Sequence, residues 1–202
     1  GAILKEIDRL AEIASGFSRF GAPGAAGEFP LEPVDVGAVA RDVLTLYRGG
    51  EGGPIDFSAD IPPDLPPISA RETEFKEVLS NLLENARAAI EGDGHVVIEA
   101  VSVPTAIEIR VRDDGAGIPV DLLGRIFEPQ FSTRSTGTGL GLAIVRKLVE
   151  SWDGTVTAEV DRGEGTVIRL QLRHWTAAEP TASEESTHGE ENPGDLESDE
   201  TP

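Results

Sequence analysis

Three short stretches between residues 81 and 142 constrain this chain more than its composition does: NLLENA at 81–86, DDGAGI at 113–118 and GTGLGL at 137–142. The first sits within a periodic run. Phe75, Val78, Leu79, Leu82, Ala86, Ala89 and Ile90 recur at three- and four-residue spacing, which predicts a helix with one buried stripe. Asn81 and Asn85 stand one turn apart on the border of that stripe. A carboxamide is costly to bury without partners, so two on one edge point to a sheltered polar ligand. An amide oxygen is also a ligand for a hard cation. Mg²⁺ is usually held by one or two protein oxygens plus substrate phosphates and water, a set that Asn85 and a triphosphate could complete.

The second stretch ends a strand. Ala106 to Arg112 alternates as a half-buried strand does and delivers Asp113 at its end, with Gly115 and Gly117 in the turn that follows. Glycines there permit positive φ and let a flat ring approach the backbone, and an aspartate can accept a hydrogen bond from an exocyclic amine such as that of adenine. The third stretch opens a helix, because Leu142, Ile144, Val145, Leu148 and Val149 continue it periodically. The free N–H groups of such a helix start favour phosphate. Each signal alone is weak; the order of amide helix, strand-aspartate-glycine turn and glycine-rich helix start is specific. Together they read as a pocket for ATP and Mg²⁺.

With these motifs, residues 31–173 resemble the catalytic and ATP-binding domain of sensor histidine kinases, within the wider superfamily of gyrase, Hsp90 and MutL ATPases. NLLENA resembles the N box, DDGAGI the first glycine box, IFEPQFSTR at 126–134 the F box, and GTGLGLAIVRKLVE at 137–150 the second glycine box with its helix. The resemblance implies that Asn85 holds Mg²⁺, Asp113 binds adenine, and the segment from Phe127 to Gly139 is the ATP lid. It implies a nucleotide-contacting set of Asn81, Asn85, Arg87, Ala88, Asp113, Gly115, Gly117, Ile118, Gly137, Thr138, Gly139, Leu140, Gly141, Leu142 and Thr166, with Asn81, Asn85 and Arg134 as the catalytic residues. Where some of these kinases place a lysine toward the phosphates, three positions after the magnesium asparagine, this chain has Ala88; Arg87 and the lid's Arg134 are the substitutes. The family's aspartate near the start of the N-box helix is also missing, with Arg71 about there.

The reaction class follows from a missing residue. Water-splitting and serine-phosphorylating members of the superfamily carry a glutamate four positions before the magnesium asparagine, where this chain has Asn81. Water or a serine hydroxyl must lose a proton to attack phosphorus, whereas neutral imidazole already offers a lone pair. The expected function is therefore ATP-dependent phosphorylation of a histidine in a two-component system, with a response regulator as the next acceptor. Glu77 and Glu84 lie on the same helix and read as exposed residues. The alternatives are a nucleotide-binding or dimerisation module without catalysis, and an ATPase or serine kinase of the superfamily.

None of the three histidines fits the acceptor. His95 follows a GDG turn, His174 trails the last strand and His188 lies in a polar tail. The acceptor is expected on a preceding helix. Ile3, Ile7, Leu10, Ala14 and Phe17 give residues 1–22 an amphipathic pattern resembling the end of the second helix of the dimerisation hairpin, through which a parent protein would form a homodimer. The chain reads as a fragment of the cytoplasmic part of a larger sensor, whether membrane-bound or not.

The expected organisation is a hairpin remnant at 1–22, a flexible linker at 23–30, an ATP-binding domain at 31–175 and an acidic disordered tail at 176–202. The domain reads as an α/β fold, a two-layer α+β sandwich in which three helices cover one face of a mixed sheet of about five strands. Asp35 caps a helix carrying Val39, Val43, Leu44 and Tyr47; a strand at 55–61 follows, with hairpins turning at Pro104-Thr105 and around 163–165. The 202 residues include no cysteine, which excludes disulfides and thiolate metal sites, and no apolar run long enough to span a bilayer. Net charge is −20, and the tail has nine acidic residues without lysine or arginine. No basic stripe is present, which disfavours nucleic acid as a partner.

Overall fold

Asp35 starts a helix as its position predicts: its Oδ1 accepts a hydrogen bond from the Ala38 N–H at 2.9 Å, satisfying a donor that a helix start leaves without an intrahelical partner. The computed structural model describes residues 30–47, 54–132, 138–160 and 165–176. The expected helix at 1–22, nearly all of the connector and tail, and the expected site residues Arg134 and Gly137 lie outside them.

A short strand β1 (Glu32–Val34) leads into α1 (Val36–Tyr47), and β2 (Ile55–Asp60) and β3 (Ile68–Ala70) follow. The asparagine-bearing helix is α2 (Glu72–Ala89), then come β4 (Gly94–Val103) and β5 (Ala106–Asp113). A 3₁₀ turn (Val120–Leu122), α3 (Gly141–Ser151), β6 (Thr155–Val160) and β7 (Thr166–Arg173) complete the described elements. Five strands form one sheet in the order β2-β4-β5-β7-β6. β2 runs parallel to β4 and every other neighbour is antiparallel, so the sheet is mixed, as expected. β1 and β3 form a separate antiparallel pair that the sequence reading did not anticipate. At three residues each, with Pro33 inside one, they carry no alternation to read.

Alternation sorts the sheet into two faces. Val96 and Ile98 on β4, Ile107, Ile109 and Val111 on β5, and Ile168, Leu170 and Leu172 on β7 are buried in one core with Leu44 of α1, Phe75, Leu79 and Leu82 of α2, and Val145 and Val149 of α3. The other face is polar. Glu108 is buried there at 6% exposure because Arg110 and Gln171 hydrogen-bond to it and Arg169 lies 3.7 Å away.

The start of α2 is secured from a distance. Arg71 occupies its N-cap without a side-chain cap. Glu32 of β1 supplies the acceptor instead, its Oε1 taking the Glu72 N–H at 3.0 Å. One turn in, Glu74 Oε2 accepts from Arg71 at 2.8 Å and from the Trp152 indole at 3.0 Å. Trp152, at the end of α3, also meets Phe75 edge-on with centroids 6.4 Å apart, a contact worth about 1 kcal/mol beyond the area it buries. α3 is thereby fixed along α2.

Candidate functional site

Asp113 ends β5, with Asp114 directly after it. Asp113 falls on the helix face. It is 6% exposed, pairs in register with Val96 on one side and Thr166 on the other, and its Oδ1 accepts the Gly115 N–H at 3.0 Å. Thr166 is itself 4% exposed, so Asp113 and Thr166, two of the expected nucleotide-contacting residues, share one sheltered end of the sheet. The turn after Asp113 lies against the end of α2. Ala116 donates its N–H to the Ala89 carbonyl at 3.0 Å, and a Cβ on Gly115 would stand 2.5 Å from that oxygen, so only glycine allows the approach. Gly117 takes φ 71°, the positive φ expected of it, and Ile118 packs half-buried against the core.

The helix start carrying the third motif meets the asparagines. A Cβ on Gly141 would lie 3.0 Å from Asn81 Oδ1 and 3.6 Å from Asn85 Nδ2, which brings the first residue of α3 against both carboxamides. Asn81 donates from Nδ2 to the Glu77 carbonyl at 3.0 Å, the previous turn of its own helix, which fixes the orientation of its amide. Leu140 is buried and Leu142 packs against the core, so alternate positions anchor the glycine-rich run while Gly141 stays half-exposed. Before it, Gly139 accepts the Gln130 N–H at 2.9 Å. Thr138 is half-buried. Asn81, Asn85, Asp113, Thr166 and residues 138–142 therefore gather along the helix-side end of β5 and the facing turns of α2 and α3.

Two expected contributors stand apart. Arg87 is exposed and ion-paired with Glu84 at 3.3 Å, and Ala88 is exposed beside it. Other contacts nearby join residues that no sequence spacing pairs. Tyr47 of α1 donates its hydroxyl to the Ser80 carbonyl at 3.4 Å, and burial, together with the Glu84 carboxylate, pushes its phenol up to about 12. Arg146 of α3 lies over the Phe127 ring at 5.0 Å and Arg125 over Phe131 at 4.6 Å, holding the F-box aromatics by cation–π contact. Tyr47 with Ser80 and Arg146 with Phe127 are distant in sequence, and only the fold joins them. A recess of about 250 Å³ lies on the opposite face of the sheet, lined by Asp60, Glu99, Glu108 and Arg110 among others. The sheet separates it from Asp113, and Glu108 and Arg110 are paired with each other.

The group at this site can meet an amine with a carboxylate, a phosphate with helix-start N–H groups and a hard cation with amide oxygens. Residues 70–176 match the family described as histidine kinase-, DNA gyrase B- and HSP90-like ATPase, which is more than half of the chain. The chain belongs to that family. ATP is the ligand of such ATPase domains. The nitrogen regulation protein NtrY of Azorhizobium caulinodans is 32% identical over 185 residues, covering 87% of this chain and 23% of that protein. The sensory histidine kinase/phosphatase NtrB of Rhizobium meliloti is 29% identical, covering 93% of this chain and 53% of that one. The chain thus spans about a quarter to about half the length of these relatives. Among solved structures, the catalytic domain of histidine kinase ThkA aligns with a TM-score of 0.66 at 29% identity, over 72% of this chain and 97% of that one. Full-length ShkA in complex with AMPPNP aligns with a TM-score of 0.71 at 31% identity, over 86% and 37%. ThkA in complex with the response regulator TrrA aligns with a TM-score of 0.68 at 25% identity, over 86% and 50%. The mixed five-stranded sheet under its helices is the fold of these kinase catalytic domains.

Proposed function

We propose that this chain is the ATP-binding catalytic part of a cytoplasmic sensor histidine kinase. It would transfer the γ-phosphate of ATP to a histidine on a dimerisation hairpin, with a response regulator's aspartate as the next acceptor. The meeting of Gly141 with Asn81 and Asn85 carries this reading, because it sets the phosphate-favouring helix start against the amide edge of α2.

In this reading Asp113 accepts the exocyclic amine of adenine, and its burial excludes water that would compete for that bond. Gly115, Gly117 and Ile118 offer the ring a flat approach, and Thr166 borders it. The backbone N–H groups of Gly137 to Leu142 take the phosphates at the start of α3. The donors fit a hard cation, since the residues nearest the helix start present carboxamides rather than thiolate or imidazole. Asn85 would hold Mg²⁺, which supplies charge neutralisation on the triphosphate. Asn81 stands where a base would be needed for water or serine, and its amide, tied to Glu77, cannot remove a proton. A histidine acceptor needs no such base. Arg134 would neutralise charge on the transferring phosphate, with Arg87 held away in its pair with Glu84. The parent would be a homodimer through its hairpin.

The test supplies a histidine-bearing hairpin in trans with ATP labelled on its γ-phosphate. Acid-labile, base-stable label on that hairpin is the expected result. Steady ADP release with no label would favour the hydrolase reading, and binding without either would leave a nucleotide-sensing module.

A further inference from the structure

Asp114 is the neighbour of the adenine-facing aspartate, yet its carboxylate is engaged with His95 of β4, so whatever it does for a nucleotide it does indirectly. It makes three contacts with one residue. Its Oδ1 accepts the His95 backbone N–H at 2.8 Å, its Oδ2 meets His95 Nδ1 at 3.0 Å, and its own N–H donates to the His95 carbonyl at 3.3 Å. The β4–β5 register ends at Val96 and Asp113, so these contacts extend the pairing one residue past the end of β5, onto a residue still within β4. The sequence also makes room for the carboxylate: a Cβ on Gly94 would stand 2.7 Å from Asp114 Oδ1. The backbone hydrogen bond from His95, with the neighbouring imidazole, holds the Asp114 carboxyl below its ordinary range against the opposing effect of burial.

The turn that follows needs such a restraint. It contains two glycines, the residue type with the most conformational freedom to lose, and Asp113 must keep one direction to accept an amine. On the helix side the turn is held by Ala116 N–H on the Ala89 carbonyl. On the sheet side it is held by Asp114. We infer that Asp114 and His95 form a positioning pair that aims the Asp113 carboxylate at the purine and thereby sets the preference for adenine over guanine. This inference rests on the nucleotide reading proposed above. An aimed carboxylate accepts the N6 amine of adenine and repels the O6 carbonyl of guanine, so loosening it weakens ATP and leaves GTP little changed.

The test measures ATP and GTP affinity by calorimetry on the full 202-residue chain, well below the melting temperature of each variant. Asp114→Ala should weaken ATP about five- to tenfold, the loss of roughly one to one-and-a-half hydrogen bonds, with GTP within about twofold of the parent. Asp114→Asn keeps an acceptor for the His95 N–H and should recover most of the ATP affinity. Gly94→Ala in an Ile90→Ala background, which removes the Cγ2 that the new methyl would otherwise meet at 2.6 Å, displaces the carboxylate without altering it and should reproduce the Asp114→Ala pattern relative to Ile90→Ala alone, which keeps the inference exposed if one variant folds poorly. Asp113→Asn is the control for the site itself. If Asp113→Asn loses ATP while Asp114→Ala binds both nucleotides as the parent does, and Gly94→Ala as Ile90→Ala alone does, the positioning pair is refuted and the site stands. Equal weakening of ATP and GTP in Asp114→Ala would likewise refute it, as a merely structural effect. If the parent does not prefer ATP, or Asp113→Asn binds it unchanged, both readings fail.

Discussion

Gly141 carries two demands that oppose each other. As the first residue of α3, a helical position, it would gain helix stability from replacement by alanine, less than the value of about 1 kcal/mol for a helix interior. The same methyl would stand 3.0 Å from Asn81 Oδ1 and fill the space between the two asparagines and the helix start. Gly141→Ala should therefore melt at or slightly above the parent temperature and lose at least tenfold in ATP affinity, a split that calorimetry and thermal unfolding read separately. Asn85 sits half-buried at the same junction. Asn85→Ala removes an oxygen from the proposed cation site, and the affinity that remains should no longer depend on Mg²⁺. A titration of nucleotide with and without Mg²⁺ checks this: the parent binds more tightly with the metal, whereas the variant gives superimposable curves. Melting should move little, because the core residues flanking it, Leu82 and Ala86, are untouched.

At the scale of elements, α2 shows what a sequence makes legible and what it hides. Its stripe of Phe75, Val78, Leu79, Leu82 and Ala86 is a local pattern, and those residues are buried as the spacing predicts. The hairpin of β4 and β5 and that of β6 and β7 were likewise readable from alternation, as was the place of Asp113 at a strand's end. The cap of α2 was not. Its acceptor, Glu32, lies 40 residues upstream on a three-residue strand, and no local rule pairs the two. The meeting of Gly141 with Asn81 was legible only as a family motif, since the fold rather than any spacing brings them together. Glu32→Ala should leave the Glu72 N–H to water and lower stability by about 1 kcal/mol in urea, while a glutamine there retains an acceptor and recovers most of it. The outer face of the sheet makes a pH-dependent contribution. Burial pushes the Glu108 carboxyl up, but hydrogen bonds from Arg110 and Gln171 and the charges of Arg110 and Arg169 outweigh it, leaving the group below its ordinary range. A depressed carboxyl contributes stability above its unfolded value and loses it as pH falls through the folded one. Glu108→Gln should accordingly cost about 2 kcal/mol at pH 7, and the gap between variant and parent should close as unfolding is measured at successively lower pH below about 4.

The molecule as a whole sets a problem for its proposed ligand, because a chain of net charge −20 must bind a polyanion. Local groups can overcome that field at contact, where helix-start N–H groups and a bound cation act within a few ångströms. At longer range the summed charge repels nucleotide and slows its arrival. Nearly half of the excess lies beyond Thr176, where nine carboxylates occur without a single lysine or arginine. Removing residues 177–202 takes the net charge to −11 and alters no described contact of the site. The truncated chain should therefore bind ATP faster than the full one at low ionic strength, by about two- to threefold, with dissociation unchanged. Screening shortens the reach of these charges to about 10 Å at 0.1 M salt and about 3 Å at 1 M, so the two association rates should converge as salt is raised. Stopped-flow measurement with a fluorescent ATP analogue across that range separates this from a direct role of the tail. A difference in dissociation, or one that survives 1 M salt, would mean that the tail touches the nucleotide site rather than acting through its charge.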